Sequence, residues 1–154
     1  AERAVPRILD GRPVTVFGDP DALHTFTYTG DVARLLVAVA ADERAWGRPW
    51  HVPSHPATTA RAVVTRMCEL AGTPAVRVRR LPDLLVSVGG IFSPMVRELK
   101  EVRYQHDRPF VMESSAAREM FDLEPTPWDA ILTATIDAHR TVADGTPGLA
   151  RSTT

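Results

Sequence analysis

Two of the five histidines in this 154-residue chain have a spacing that could support metal chemistry. His51 and His55 stand four residues apart, and two imidazoles at that spacing share one face of an α-helix. Pro53 and Pro56 disfavour a helix at this point, and no Cys or Glu stands at ligand spacing beside the pair. We therefore interpret these histidines as loop and pocket-rim residues, and a metal-dependent hydrolase ranks third among our functional hypotheses.

Two patterns that carry nucleophilic or cofactor chemistry are missing from the sequence. A serine hydrolase would need a Gly-x-Ser-x-Gly elbow, which is absent. The glycine-rich loop that cradles a dinucleotide is absent as well, because Gly89 and Gly90 have neither its spacing nor a preceding strand. Cys68 is the single cysteine, so an internal disulfide is excluded, and its place in a predicted helix indicates a small core residue.

Composition is that of a soluble globular protein of one domain's size. Hydrophobic residues make up 44% and charged residues 24%, and the net charge of -1 gives no reason to expect a nucleic-acid or membrane partner. No apolar run approaches the length of a membrane span and no signal-peptide centre is present, so we expect a cytoplasmic protein. Lys100 is the one lysine among 18 basic residues, a bias associated with GC-rich bacterial coding.

The elements that would position any site are short and mostly helical. Hydrophobic periodicity predicts an α/β chain that is helix-rich with a few short strands, the strands covering residues 13–17, 25–28, 48–53 and 76–79. Helices are predicted over residues 4–9, 32–42, 58–71, 81–92, 94–104 and 115–121, with a last one after Pro125. Such scattered strands are a poor basis for a self-sufficient sheet, so we expect the chain to complete a sheet supplied elsewhere.

Capping residues and apolar stripes define three of these helices more closely. Asp31 precedes an apolar run and is assigned as an N-cap with no catalytic role. Thr58 or Thr59 can cap the next helix, which Gly72 closes. Periodicity places one apolar face on the helix predicted over residues 32–42, at Val32, Leu35, Leu36 and Val39. The inward positions of the last helix are Trp128, Ile131, Leu132, Thr135 and Ile136.

Four segments, in order, resemble one enzyme family. They are the strand and turn Gly11–Asp19, the strand-to-helix segment His24–Ala33, the strand Trp50–Pro53 with Thr58 and Thr59 after it, and the element Phe121–Thr126. Together they resemble the late part of extended short-chain dehydrogenase/reductases, the NAD-dependent epimerase/dehydratase family. The resemblance implies that residues 1–144 are the C-terminal substrate-binding part of a Rossmann-type fold. Residues 145–154 are small and polar, and we expect a disordered tail.

The resemblance implies an enzyme whose chemical groups lie outside this chain. Relatives use a Tyr-x-x-x-Lys pair with NAD or NADP, and neither Tyr28 nor Tyr104 has lysine four residues on. We therefore expect the cofactor fingerprint and the catalytic pair in a missing N-terminal Rossmann half, with no cofactor bound and no activity in this fragment alone. That half and a small-molecule substrate are the expected partners, and a homo-oligomer is an open alternative. A non-enzymatic binding or interaction module derived from such an enzyme is the second hypothesis.

Substrate contacts are expected from a few pocket residues. Where His24 stands, relatives usually have an arginine that pairs with a substrate diphosphate, and histidine has no bidentate fork for phosphate. We therefore expect a smaller or less charged substrate. A broken helix that carries aromatic, Met and Arg side chains suits a pocket wall, with core packing as the alternative. The substrate-binding candidates are His24, Phe26, Phe92, Met95, Arg97 and Tyr104.

Overall fold

The computed structural model describes residues 4–82 and 103–143. Its helices are α1 (Ala4–Leu9), α2 (Thr29–Ala41), α3 (Ala60–Ala71), α4 (Tyr104–Asp107), α5 (Ser115–Phe121) and α6 (Trp128–Ala143), with a 3₁₀ turn at Glu43–Ala45. Its strands are β1 (Val14–Val16), β2 (Leu23–His24), β3 (Thr58–Thr59) and β4 (Val78–Arg80). The tail over 145–154, and all but the end positions of the helices predicted over 81–92 and 94–104, lie outside the described residues. The fold is the helix-rich α/β architecture with short strands that the sequence predicts.

The hydrophobic core lies where α1, α3 and α6 pack together over β1 and β4. Helical spacing puts the apolar residues of α3 and α6 on facing sides, because positions three and four apart share one face. Cys68 is buried in this cluster, as predicted. The buried members are Val5, Ile8, Val14, Val64, Met67, Cys68, Val78, Leu132 and Ile136.

The four strands form two separate two-stranded pairs. β1 and β4 are parallel, with Val14 opposite Val78. Val78 faces the core while the arginines after it are exposed, so the strand predicted near this point carries one buried side. β2 and β3 are antiparallel, with Leu23 opposite Thr59, and Phe110 adds a parallel bridge to His24 on the other side of β2. No helix within residues 4–82 and 103–143 combines the length and the apolarity that crossing a membrane requires.

Two predicted strands are wrong. Residues 25–28 follow β2 without ladder pairing of their own, and residues 48–53 form no strand. A strand needs hydrogen-bonding partners along its edge, and prolines bracket the second segment. Side chains hold that segment instead: His51 Nδ1 lies 2.6 Å from the carbonyl oxygen of Glu113, and the Ser54 amide donates to Ser114 Oγ.

The start and the apolar face of α2 differ from the prediction. α2 begins at Thr29, and its N-cap position is Tyr28, which makes no side-chain capping bond, so Asp31 is not the cap. Leu35 is buried, but Leu36 is 64% exposed and Val37 is 72% exposed. The main neighbours of α2 in the described part of the chain are the 3₁₀ turn and α5, which leave one side of the helix uncovered.

α3 and α6 follow the prediction more closely. The Thr59 hydroxyl accepts a hydrogen bond from the Ala62 amide at 3.0 Å, so Thr59 is the N-cap of α3. Gly72 closes the helix at φ = 69°, a left-handed conformation that glycine adopts without strain. On α6, Leu132 and Ile136 are buried and the other predicted inward residues are half-buried.

Candidate functional site

An apolar cleft of about 440 Å³ opens beside the core, where β1 meets the first turns of α2, α3 and α6. Its floor is made by core side chains, and its walls include Phe26 and Trp128, whose ring centroids lie 6.3 Å apart. Of the residues that the structure describes, Tyr28 is the one with an ionisable side chain in this lining. The apolar lining residues are Ala4, Val14, Val16, Phe26, Ala60, Val63, Val64, Met67, Trp128, Ile131 and Leu132.

Four hydroxyl-bearing residues give this cleft its polar groups: Thr27, Tyr28, Thr29 and Thr135. Two of the hydroxyls are engaged, because Thr27 Oγ1 lies 3.0 Å from Ser54 Oγ and the Thr135 hydroxyl donates to the Ile131 carbonyl at 2.8 Å. The hydroxyls of Tyr28 and Thr29 make no hydrogen bond within the described residues. They are therefore available to a bound molecule.

The position of Tyr28 depends on the glycine two residues later. The Tyr28 ring lies across Gly30, where an added Cβ would come within 2.5 Å of the ring atom Cε1. Contacts of that length do not occur, so any other residue at Gly30 would displace the ring. The Tyr-x-Gly spacing thus places an aromatic residue at the cleft.

The helix starts around the cleft already carry compensating groups. A carboxylate in a first helical turn offsets the partial positive charge of the helix end, and Asp31 in α2 and Asp129 in α6 occupy such positions. Asp129 in turn binds Arg66 at 2.6 Å, and the hydrogen bond from that guanidinium holds the pKa of Asp129 below its usual value. The start of α3 is capped by Thr59. The cleft therefore has little net charge at its helix ends.

Asp31 is a buried structural link and not a capping residue. Only 3% of its surface is exposed, and its carboxylate accepts hydrogen bonds from the Thr126 amide at 2.9 Å, the Thr126 hydroxyl at 2.5 Å and Arg34 at 2.6 Å. Burial by itself raises the pKa of Asp31, but the hydrogen bonds from Thr126 and Arg34 outweigh burial and hold the pKa below its usual value. The two family-like segments around residues 31 and 126 are joined by this carboxylate.

A second polar cluster surrounds α4. His24 Nε2 lies 3.0 Å from the Gln105 carbonyl oxygen and Nδ1 lies 3.2 Å from that of Ala22, so both ring nitrogens face backbone acceptors. The His106 ring packs edge-on against Phe17, with 5.2 Å between centroids. An added Cβ at Gly18, which has φ = 85°, would lie 2.5 Å from His106 Cβ. A side chain at this position would therefore push α4 away.

Arginines next to α4 are held by a carboxylate. Arg80 Nη2 and Arg103 Nε both lie 3.1 Å from Asp107 Oδ2. Arg80, at the end of β4, thus belongs to an ion-pair network with α4.

The structure separates the predicted substrate-binding residues. Phe26 lines the cleft, whereas His24 and the exposed Tyr104 belong to the α4 cluster. Phe92, Met95 and Arg97 lie outside the described residues. Sequence reasoning did not name Tyr28 or Thr135 as cleft residues.

Patterns in the sequence pointed to both positions without resolving their role. Tyr28 was part of a predicted strand, and Thr135 lies seven residues after Trp128, on the helix face that was assigned inward. Periodicity finds an inward face, but it does not distinguish a core from a cavity.

The ring nitrogens of other histidines also lie close to backbone carbonyl oxygens. His55 Nε2 lies 2.7 Å from the Thr126 carbonyl oxygen, and its ring meets that of Trp128 edge-on at 5.7 Å. Within residues 4–82 and 103–143, no three His, Cys, Asp or Glu side chains come together in a way that could hold a metal ion.

Comparisons with known proteins find similarity at the level of structure. No protein-family profile and no curated protein matches the sequence. The fold is similar to UDP-glucuronic acid 4-epimerase from Bacillus cereus in complex with NAD, with a TM-score of 0.64, 17% identity, and coverage of 91% of this chain and 38% of that one. UDP-N-acetylglucosamine 4-epimerase from Bacillus cereus gives a TM-score of 0.60 at 17% identity over 90% of this chain and 42% of the other.

A partial consensus L-threonine 3-dehydrogenase matches to a similar degree. Its TM-score is 0.59 at 14% identity, over 90% of this chain and 40% of the dehydrogenase. The chain therefore spans about two fifths of the length of these structures, and it has the fold of the C-terminal part of Rossmann-type epimerases.

Proposed function

We propose that this chain is the substrate-binding C-terminal portion of an NAD(P)-dependent epimerase, dehydratase or reductase of the extended short-chain dehydrogenase/reductase type. The observation that carries the proposal is the fold similarity over 91% of the chain to an epimerase crystallised with NAD. The four family-like segments are independent support, because they come from residue types and not from backbone shape.

The residues present do not fit a dinucleotide by themselves. A pyrophosphate site needs a glycine-rich turn between a strand and a helix. The sequence has no such motif, and it has no tyrosine with a lysine four residues later. When bound in the complete enzyme, the cofactor supplies hydride transfer, and in this proposal it is held by the N-terminal half. The role of the present chain is to bind and orient substrate.

The uncovered side of α2 supports a larger assembly. Leu36 and Val37 are adjacent, apolar and mostly exposed, and Trp46 near the end of the same segment is 60% exposed. Large exposed apolar patches are typical of surfaces that contact another polypeptide. In the proposal, this side of α2 faces the Rossmann half.

The decisive experiment reads and expresses the coding sequence that precedes Ala1. We expect an upstream frame with a glycine-rich fingerprint and a Tyr-x-x-x-Lys motif, and saturable NAD(H) binding by the extended protein in a fluorescence titration. The 154-residue chain, titrated in parallel, should show no saturable binding. A reading frame that begins near Ala1 would favour the non-enzymatic module, and micromolar NAD(H) affinity of the short chain would contradict the proposal.

A matched pair of variants tests the docking side. Val37→Asp in the extended protein should weaken the contact between the halves, because it puts a charge on the uncovered side of α2. Thr65→Asp lies on an exposed position of α3 and serves as the control. Easier proteolytic separation of the halves in Val37→Asp alone is the expected result, and equal behaviour of the two variants would refute this placement of α2.

A further inference from the structure

We infer that the apolar cleft between α3 and α6 binds an uncharged, mainly apolar small molecule that carries a hydroxyl or carbonyl group, and that no diphosphate is recognised there. The inference rests on the proposed function, since it names the substrate class of the same chain. It goes further by assigning the site and the chemistry of its ligand.

The size of the cleft fits a small metabolite. Its volume of about 440 Å³ falls within the range of about 300–1,000 Å³ that is usual for small-molecule pockets. The floor belongs to the packed core, through side chains such as Met67 and Leu132. An occupant would therefore meet a preformed surface, and this lowers the entropic cost of binding.

The charge of the lining selects against anions. A diphosphate buried beside apolar side chains would lose its hydration without gaining a cationic partner, which is strongly unfavourable. Among residues 4–82 and 103–143, no Arg or Lys lines the cleft. The nearby first turns of α2 and α6 already hold carboxylates, Asp31 and Asp129, which offset the partial positive charge that would otherwise attract an anion there.

In the cluster around α4, the side chains that could bind a diphosphate already have partners. Both ring nitrogens of His24 face backbone carbonyl oxygens, so the residue that replaces the family arginine is committed to the fold. Arg80 and Arg103 both contact Asp107. Rearranging these groups around a diphosphate would break existing ion pairs and hydrogen bonds.

Hydroxyl-bearing residues of the lining would orient the ligand. Tyr28 and Thr29 line the cleft from the segment that enters α2. Each can donate or accept a hydrogen bond, which suits an alcohol or a carbonyl oxygen. A molecule with an apolar body and one such group would satisfy both ends at once.

The test is a titration of the 154-residue chain with N-phenylnaphthylamine, an uncharged probe whose fluorescence rises in apolar surroundings. We expect saturable binding at one site per chain, displacement by naphthol, and no displacement by excess UDP. Thr135→Trp, which fills the cleft, should weaken binding about tenfold or more, corresponding to a free-energy change of about 1.4 kcal/mol or more. Thr133→Trp puts the same side chain on the exposed side of α6 and should leave binding unchanged.

A second pair of variants keeps the test informative if Thr135→Trp does not fold. Ala60→Phe projects into the cleft from α3, and Ala62→Phe two residues later is its exposed control. In addition, Tyr28→Phe should weaken displacement by naphthol more than displacement by naphthalene, because naphthalene has no hydroxyl.

Several outcomes would overturn the inference. They are no saturable probe binding, equal binding by the filled and control variants, displacement of the probe by UDP, or loss of binding in Leu36→Gln, which would locate the probe on α2. A change of oligomeric state in Thr135→Trp, without a change in probe binding, would assign the cleft to a second copy. The probe titration needs neither the cofactor nor the upstream half. A negative titration would therefore contradict the ligand assignment alone, whereas the proposed function is tested separately by the upstream coding sequence and NAD(H) binding.

Discussion

Two helices of almost equal length are treated differently by this fold. α2 has 13 residues and α3 has 12, and α2 is the more apolar of the two. Yet α3 buries three apolar side chains in the core, whereas Leu35 is the one apolar residue of α2 that is fully buried. The more apolar helix is the more exposed one.

The comparison indicates which surroundings suit the residue pattern of each helix. α3 has one apolar stripe, and its opposite side carries arginines such as Arg61 and Arg66 that pair with carboxylates. That pattern is typical of a helix at the surface of a domain. α2 is apolar around most of its circumference, a pattern typical of a helix that is covered on all sides. Its exposed side therefore supports the proposed contact with a second polypeptide segment.

The largest expected difference between the two helices comes from truncating side chains. Met67→Ala in α3 removes a side chain that is 4% exposed and should destabilise the chain by about 3 kcal/mol. Leu36→Ala in α2 removes an exposed side chain and should change stability by less than about 0.5 kcal/mol. Urea denaturation measures both, and a similar loss in the two variants would show that α2 is covered within this chain.

The next effect concerns the link that ties α2 to the rest of the fold. Asp31→Ala leaves the half-buried Thr126 amide without its acceptor and should cost about 2 kcal/mol. Arg34→Ala should cost less, because the arginine side chain is 47% exposed and the Thr126 bonds remain. We expect hydrogen exchange in Asp31→Ala to speed up most in α2, and uniform acceleration across α2 and α3 would contradict a local role.

A smaller effect concerns the start of α3, which has a side-chain cap, whereas the start of α2 has none. Thr59→Ala removes the cap of α3 and should destabilise it by about 1 kcal/mol. Thr58→Ala next to it is the control, since the Ala62 amide bonds to Thr59. Comparable losses in the two variants, measured by thermal unfolding, would argue against the cap and for a role of β3 pairing.

The smallest effect is a pH dependence that Asp31 contributes. Because its pKa in the folded chain is held below the usual value of an aspartate, its carboxylate stabilises the fold above that usual pKa, and the contribution disappears as the pH falls through the lowered pKa. Urea midpoints of the wild type should therefore fall more steeply than those of Asp31→Asn in this acid range. Parallel curves would show that other carboxylates account for the whole acid sensitivity.

Local signals allowed much of the fold to be predicted. The cap at one of two neighbouring threonines (Thr59 in the structure), the closing glycine at Gly72 and the inward positions of α6 depend on residues within a few positions of one another. The same holds for α5, which the structure gives as Ser115–Phe121. Such interactions are encoded in short stretches and survive whatever the rest of the chain does.

Strand limits and the role of Asp31 could not be predicted in the same way. An aspartate before an apolar run usually caps the helix, but here its partner is Thr126, which is 95 residues away. The segment from Trp50 to Pro53 has strand-like composition, yet a strand exists only where a neighbour offers backbone groups. Both outcomes depend on what lies beside the residue in space.

The residues of the candidate site differ in the same way, because some could be predicted from local sequence and others could not. Phe26 could be predicted as a pocket residue from the strand-to-helix segment in which it stands. Tyr28 and Thr135 could not, because the residue type at a partly apolar position does not show whether that position faces a core or a cavity. His24 marks a departure from the family pattern in the sequence, and only the structure shows that both of its ring nitrogens meet carbonyl oxygens.

By itself, the sequence determined the α/β class, the helical core and the absence of a dinucleotide fingerprint and of a Tyr-x-x-x-Lys pair, because these depend on residue types and short-range periodicity. The tertiary structure alone decided that Asp31 links two distant segments. It also decided that, in the part of the chain that is described, one side of α2 is uncovered and a mainly apolar cleft opens beside Met67. The physical reason is that burial and hydrogen bonding depend on which distant groups become neighbours, and that information is not contained in any short stretch of the chain.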